Sequence, residues 1–148
     1  MAEVRIKRHV KAPPEKVFEV AADFPNAAEF INGISKMEML TEEPVRVGTR
    51  FRETRVMFKR EATEEMEITA FDPPRSYALG CVSHGCRYHT VMSFTRHDGG
   101  TDLEMNFQAT PLTLFAKVMS VVMSPMMKKL AETCGKDLDD VKAAVESR

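Results

Sequence analysis

Residues 101–110 (TDLEMNFQAT) alternate polar and apolar as a half-buried strand does, and from Pro111 the period changes to that of a helix. Phe115, Val118, Met119, Val122, Met126, Leu130, Cys134, Leu138, Val141 and Val145 recur every three or four residues and mark one buried helix face. A continuous helix of that extent would run about 50 Å at ~1.5 Å per residue. So long a helix needs a wide surface to lie on, and the strand-like segments upstream are what the chain offers. A curved sheet gripping a long helix leaves space between the two, so the order of elements points to an internal cavity for a small molecule.

Residues 3–11 (EVRIKRHVK) form the first expected strand, with Val4, Ile6, Arg8 and Val10 on one face. Pro14 suits a first helical turn, and Val17, Phe18, Val20 and Ala21 give a short amphipathic helix. Pro25 starts a second short helix that Gly33 stops. A strand over 34–41 follows. Hairpins over 49–57 and 62–70, turning at Lys59-Arg60, and over 76–83 and 86–96, turning at His84-Gly85, come next. Asp98-Gly99-Gly100 turns the chain into the last strand. Short turns between consecutive strands imply an antiparallel meander.

These turns fix an expected register. Phe94 should pair with Leu103, Met92 with Met105 and Thr90 with Phe107. Cys81 should pair with Tyr88, Leu79 with Thr90 and Tyr77 with Met92. In the earlier hairpin the expected pairs are Phe51 with Ile68, Glu53 with Met66, Arg55 with Glu64 and Met57 with Ala62. The three assignments agree on one apolar face, which is the internal consistency a true register requires.

The bulk numbers narrow the function classes. The 148 residues suit one domain, expected to span 1–148. Charge is balanced, 21 Lys+Arg against 22 Asp+Glu, which argues against nucleic acid as a partner. No apolar run reaches the ~20 residues of a membrane span, so stable membrane insertion is not expected. The N-terminal residues show no apolar signal region, and three cysteines, an odd number, fit a reducing compartment. The expected location is cytoplasmic.

The chain resembles the START-like, or SRPBCC, superfamily, the helix-grip group that includes polyketide cyclase/dehydrase-like and lipid-transport-like proteins. The likeness lies in residues 10–20 (VKAPPEKVFEV) followed by Asp23 and Pro25, in Val47-Gly48-Thr49-Arg50-Phe51, in Phe71-Asp72-Pro73-Pro74-Arg75, and in Gly99-Gly100-Thr101-Asp102 leading to residues 138–146. The resemblance implies an α+β helix-grip fold: a seven-stranded curved antiparallel sheet wrapped around a long C-terminal helix, with two short helices after strand one. It also implies a cavity for an apolar ligand. Lipid carriers, aromatase/cyclases, ubiquinone-binding proteins and chaperone cofactors share the group, and the fold does not choose among them.

Arg55 and Glu64 are the leading polar candidates, since a charge on the inward face has to be paired or solvated. Glu53 and Arg8 fall on the same face. Such groups could orient a ligand's carbonyl or hydroxyl, or could simply close a salt bridge at the rim. Cys81, His84, Cys86 and His89 read as C-x2-H-x-C-x2-H, a zinc-like spacing, but the register puts Cys81 and His89 on opposite faces, so no metal is expected. Cys81 has no histidine on its face to activate it as a nucleophile. The eleven methionines supply unbranched side chains that re-pack around varied shapes. Ser124-Pro125 reads as an N-cap and first-turn proline, which predicts a break or kink in the long helix.

The expected ligand-binding set is Phe51, Glu53, Arg55, Glu64, Met66, Tyr77, Leu79, Cys81, Tyr88, Thr90, Met92, Met105, Phe107, Met119 and Met123. The expected ligand is a small hydrophobic molecule (lipid, quinone or polyaromatic), with no cofactor. Two other functions stay open: a cyclase/dehydrase-type enzyme, and a chaperone or protein-interaction module that uses the apolar segment 112–127; a homodimer is a separate expectation with no surface assigned.

Overall fold

The computed structural model describes residues 2–57, 59–83, 85–122 and 126–148, apart from the side chains of residues 2, 57, 119–122, 126 and 127. Seven strands form one antiparallel sheet in the order β1-β7-β6-β5-β4-β3-β2. They are β1 (Ala2–Val10), β2 (Ile34–Met39), β3 (Arg50–Met57), β4 (Arg60–Asp72), β5 (Ser76–Ser83), β6 (Cys86–His97) and β7 (Gly100–Pro111). Helix α1 (Pro14–Ala21), a 3-10 turn (Phe24–Asn26) and α2 (Ala27–Phe30) follow β1, and α3 (Leu114–Val122) and α4 (Met126–Glu146) close the chain. The expected break at Ser124-Pro125 falls outside the described residues.

The meander follows from its turns. Gly85 and Gly99 sit in the β5–β6 and β6–β7 turns at φ of 76° and 74°, where a side chain would be strained. The pairings of β5 with β6 and of β6 with β7 are those expected, including Cys81 with Tyr88, Met92 with Met105 and Thr90 with Phe107. The β3–β4 hairpin differs. Its strands join at Met57 and Arg60, with Lys59 in the loop at φ 64°, so the turn sits one residue earlier than expected. Moving a turn by one residue shifts the register by two. Each side chain therefore keeps its face but changes partner: Glu53 lies opposite Glu64, and Arg55 opposite Ala62. Irregularities in register at Ile34/Lys36 and Ile68/Ala70 add local bends to β2 and β4.

The core lies at the end of the sheet that carries α1 and the second half of α4. Leu138, Val141 and Val145 of α4 pack with Val17, Phe18 and Val20 of α1 against Phe51, Ile68, Phe94 and Leu103. Phe18 meets Phe71, Tyr77 and Phe94 edge-on at 5.4, 5.9 and 5.1 Å, and Phe24 stacks on Phe51 at 4.9 Å. Cys134, Leu138, Val141 and Val145 are buried as the helical stripe required. Its first members are not: Phe115 is 75% exposed and Val118 55%, and among the described side chains of α3 the one that packs inward is Ala116. The reason is local. Leu112 N–H donates to Gly85 O at 2.8 Å, and a Cβ on Gly85 would stand 3.4 Å from Ala116 Cβ. This seats α3 against the β5–β6 turn on its Ala116 side.

Thr101 is fully buried, and its hydroxyl donates to Ala12 O at 2.7 Å, tying β7 to the entry of α1. Thr101→Val keeps the shape and leaves that carbonyl unmet. Urea unfolding should show a loss of about 1–2 kcal/mol.

Candidate functional site

The concave face divides in two. Toward α1, Phe51, Tyr77 and Met92 are sealed into the packed core at 1%, 5% and 3% exposure. The Tyr77 hydroxyl donates to Ala21 O at 3.4 Å, and burial, then Glu53 and Asp137, pushes its ionisation well above the ordinary range. Met66, Leu79 and Met105 are half-buried and pack against that core, and beyond them, toward the other end, Cys81, Tyr88, Thr90 and Phe107 are half-buried. They stand on the four adjacent strands β4 to β7, and cross-strand pairing sets them side by side: Cys81 against Tyr88, Leu79 against Thr90, Thr90 against Phe107. Tyr88 and Phe107 stack at 5.7 Å. Met119 and Met123 fall outside the described side chains.

The polar candidates are arranged differently from expectation. Arg55 does not meet Glu64. Its guanidinium crosses to α4, where Nη1 donates to Asp137 Oδ1 at 3.0 Å and Nη2 lies 2.9 Å from Oδ2. Its Nε lies 3.4 Å from Glu53 Oε2. The side chains of Glu53, Arg55 and Asp137 are 14–15% exposed. Two carboxylates thus share one guanidinium. Burial opposes the charge of Arg55, and the two acids overcome it and raise its pKa. Burial pushes the carboxyls of Glu53 and Asp137 up, more than Arg55 pulls them down.

Glu64 instead accepts from Ser83 Oγ at 3.0 Å, with Cys81 Sγ 3.9 Å away. Burial and then Glu64 push the Cys81 thiol up to about 11. It is therefore a protonated, small, weakly polar side chain near neutral pH rather than a nucleophile. Burial and then Cys86 push the Tyr88 phenol up to about 12. His89 pairs with Gly80, so it lies on the face opposite Cys81, and the zinc-like spacing does not converge. His84 lies outside the described residues.

Asp137 escaped the sequence reading, although a signal existed. It stands three residues after Cys134 and four before Val141, within the buried stripe of α4, where a lone carboxylate calls for a cation. Arg8, the other inward arginine, reaches Asp139 at 2.7 Å, and Asp140 accepts from the Asn32 N–H at 2.9 Å. Bordered by Asp137 of this cluster, a groove of about 650 Å³ opens between Asn32, Gly33 and Val56 and the α4 residues Lys129, Thr133, Lys136 and Asp140. Its wall is largely charged, and none of the residues expected to bind ligand lines it.

A curved antiparallel sheet closed by a C-terminal helix, with a half-open apolar concave face, defines a helix-grip protein. The chain belongs to the family described as polyketide cyclase/dehydrase and lipid transport, whose profile matches residues 1–146. Among solved structures, TTHA0849 from Thermus thermophilus superposes with a TM-score of 0.82 at 19% identity, over 99% of this chain and 98% of that one. Ara h 8.0201 gives 0.79 at 14% identity, over 99% of each chain. The Zhui aromatase/cyclase from Streptomyces sp. R1128 gives 0.78 at 18%, over 99% of this chain and 94% of that one. At such identities the likeness is one of fold. No curated protein sequence matches the chain.

Since either acid can satisfy Arg55, the single variants Glu53→Gln and Asp137→Asn should each cost at most about 1–2 kcal/mol, Asp137→Asn the more. The double variant, which strands a buried guanidinium, should cost about 3–5 kcal/mol, more than the sum. Unfolding of all four proteins tests this cycle. The pH dependence has a definite sign. The folded protein holds a proton on each of these two carboxyls more readily than the unfolded chain, whose carboxyls titrate near 3.8 and 4.5. The pair's contribution is therefore fully present below those values and declines as pH rises through the raised folded values. Glu53→Gln should flatten this slope relative to the wild type.

Proposed function

We propose that residues 1–148 act as one unit that binds a small apolar molecule, a lipid, quinone or polyaromatic, between the concave sheet face and the C-terminal helices. One observation carries the reading. The half-buried row Met66, Leu79, Cys81, Tyr88, Thr90, Met105 and Phe107, whose members Met66, Leu79 and Met105 border the packed core, keeps apolar surface accessible beyond the end that α1 fills. Interiors are otherwise close-packed, so an accessible apolar concave wall is a binding wall. Family membership agrees, because lipid transport and polyketide chemistry both involve apolar molecules. The Tyr88–Phe107 stack suits a flat ring, and the methionines suit varied shapes.

A second reading is acid–base chemistry of the cyclase/dehydrase type. In its favour are the raised carboxyls of Glu53 and Asp137, which hold a proton better than ordinary acids and could donate it. Incubation with a linear poly-β-carbonyl thioester would reveal it as loss of water in the product mass.

Burying roughly 300 Å² of ligand at about 25 cal/mol per Å² gives about 7 kcal/mol gross, so micromolar affinity is the upper expectation after binding costs. An environment-sensitive apolar dye should bind ~1:1 and be displaced by quinones, fatty acids or polyaromatics. Met105→Trp, which fills the half-open wall, should weaken dye binding by about tenfold or more with little loss of fold. Equal binding by that variant would place the ligand elsewhere.

A further inference from the structure

The C-terminal ends of β3, β5 and β7 lie at one end of the sheet, together with the β3–β4 turn, the β5–β6 turn and the start of α3. The open half of the concave wall faces this end, since Cys81 and Tyr88 precede and follow the β5–β6 turn. Large apolar side chains are exposed here. Leu114 is 79% exposed, Phe115 75% and Val118 55%, and their i, i+1, i+4 spacing puts them on the face of α3 away from the buried Ala116. Leu112 beside the β5–β6 turn, Val82 within that hairpin and Val56 by the β3–β4 turn are exposed too. Scattered surface apolar residues need no explanation, but a cluster at one end of a molecule does.

The charges of this end are also distinct. Segments 56–61, 82–87 and 111–118 carry Lys59, Arg60, Arg87 and Lys117 against the single carboxylate Glu61, although the whole chain has a net charge of −1. Elsewhere the sheet's arginines face acids: Arg5 meets Glu104, Arg50 Glu65, Arg52 Glu38, Arg75 Asp72 and Arg96 Glu15. Among the described residues, Arg60 and Arg87 form no such pair. Both are exposed.

We propose that this end is a docking surface for an anionic lipid bilayer. The exposed face of α3 enters the headgroup region, and Lys59, Arg60 and Arg87 meet lipid phosphates. Exposed apolar side chains and cations gathered at the same end match a surface that offers negative charge over hydrocarbon. A protein partner or a second copy with the same apolar and basic character would meet like charge. Contact is peripheral, since no helix among the described residues is long and apolar enough to cross a membrane. Docked in this way, the open wall would face the bilayer, a direct path for an apolar molecule between lipid and protein. The surface itself stands apart from the proposed pocket, but this path rests on it.

The test is co-sedimentation of the full chain with vesicles of phosphatidylcholine, with and without phosphatidylglycerol. The protein should bind the phosphatidylglycerol vesicles, bind the neutral ones poorly, and release in high salt. Phe115→Glu, and separately Arg60→Glu with Arg87→Glu, should each lower partitioning at least about tenfold. Arg96→Glu, at the far end of the sheet, should leave it unchanged. Circular dichroism and vesicle-free dye binding separate these effects from misfolding and from failure of the pocket itself. Absence of binding to phosphatidylglycerol vesicles would overturn the proposal, as would equal loss in Arg96→Glu. So would a dimer, detected by sedimentation, that Leu114→Glu dissociates while vesicles bind neither form.

Discussion

Arg55 and Arg8 hold the C-terminal helix from both margins of the sheet. Arg55 reaches from β3 to Asp137, and Arg8 reaches from the edge strand β1 to Asp139, two residues further along α4. Asn32 adds a contact to Asp140, and the Lys11 N–H donates to Glu146 at 2.9 Å near the helix end. The two arginine pairs are unequal. The Arg8–Asp139 pair is solvated and worth little on its own, whereas the Arg55–Asp137 pair is largely shielded, so losing its partners is costly. Hydrophobic burial holds α4 down along Leu138, Val141 and Val145, but it is not directional. The charge pairs fix where along the sheet the helix rests.

That placement produces the division of the concave face. The second half of α4, with α1, fills one end with aromatic and aliphatic side chains. The apolar residues at the other end stay within reach of small molecules. A sheet of this curvature cannot be covered along its whole length by one helix and one short insertion. The chain places its excess concave surface at the turns next to α3, which is also where its exposed apolar residues collect.

The sequence made the faces of the sheet legible but not all the partners. Period-two alternation assigns a face to each residue whatever the turn, and the glycine turn at Gly85 and the Asp98-Gly99 turn localise two hairpins without ambiguity. The β3–β4 loop has no glycine, and Lys59 rather than a glycine adopts the positive φ, so the turn could be read one residue late. The face survived that error, and the Arg55–Glu64 partnership did not. Helical periodicity identified the buried stripe of α4 but treated the exposed apolar residues of α3 as its continuation. Periodicity reports a shared face and not what covers it. Asp137 was hidden for the converse reason: a polar residue inside an apolar stripe reads as a lapse until the sheet supplies Arg55.

Two glycines carry a constraint that no contact inventory reveals. A Cβ at Gly33 would stand 2.9 Å from Arg55 Nη1, and one at Gly135, inside α4, would stand 2.9 Å from Arg8 Nη2. A mid-helix glycine is disfavoured by about 1 kcal/mol relative to alanine, so alanine at Gly135 would be preferred by the isolated helix and opposed by the arginine lying over it. Both arginines pass through gaps left by missing side chains. Alanine at Gly33 would therefore press on a guanidinium that two carboxylates hold in place, whereas at Gly135 the solvated tip of Arg8 could swing aside and give up its hold on Asp139 without disturbing the core.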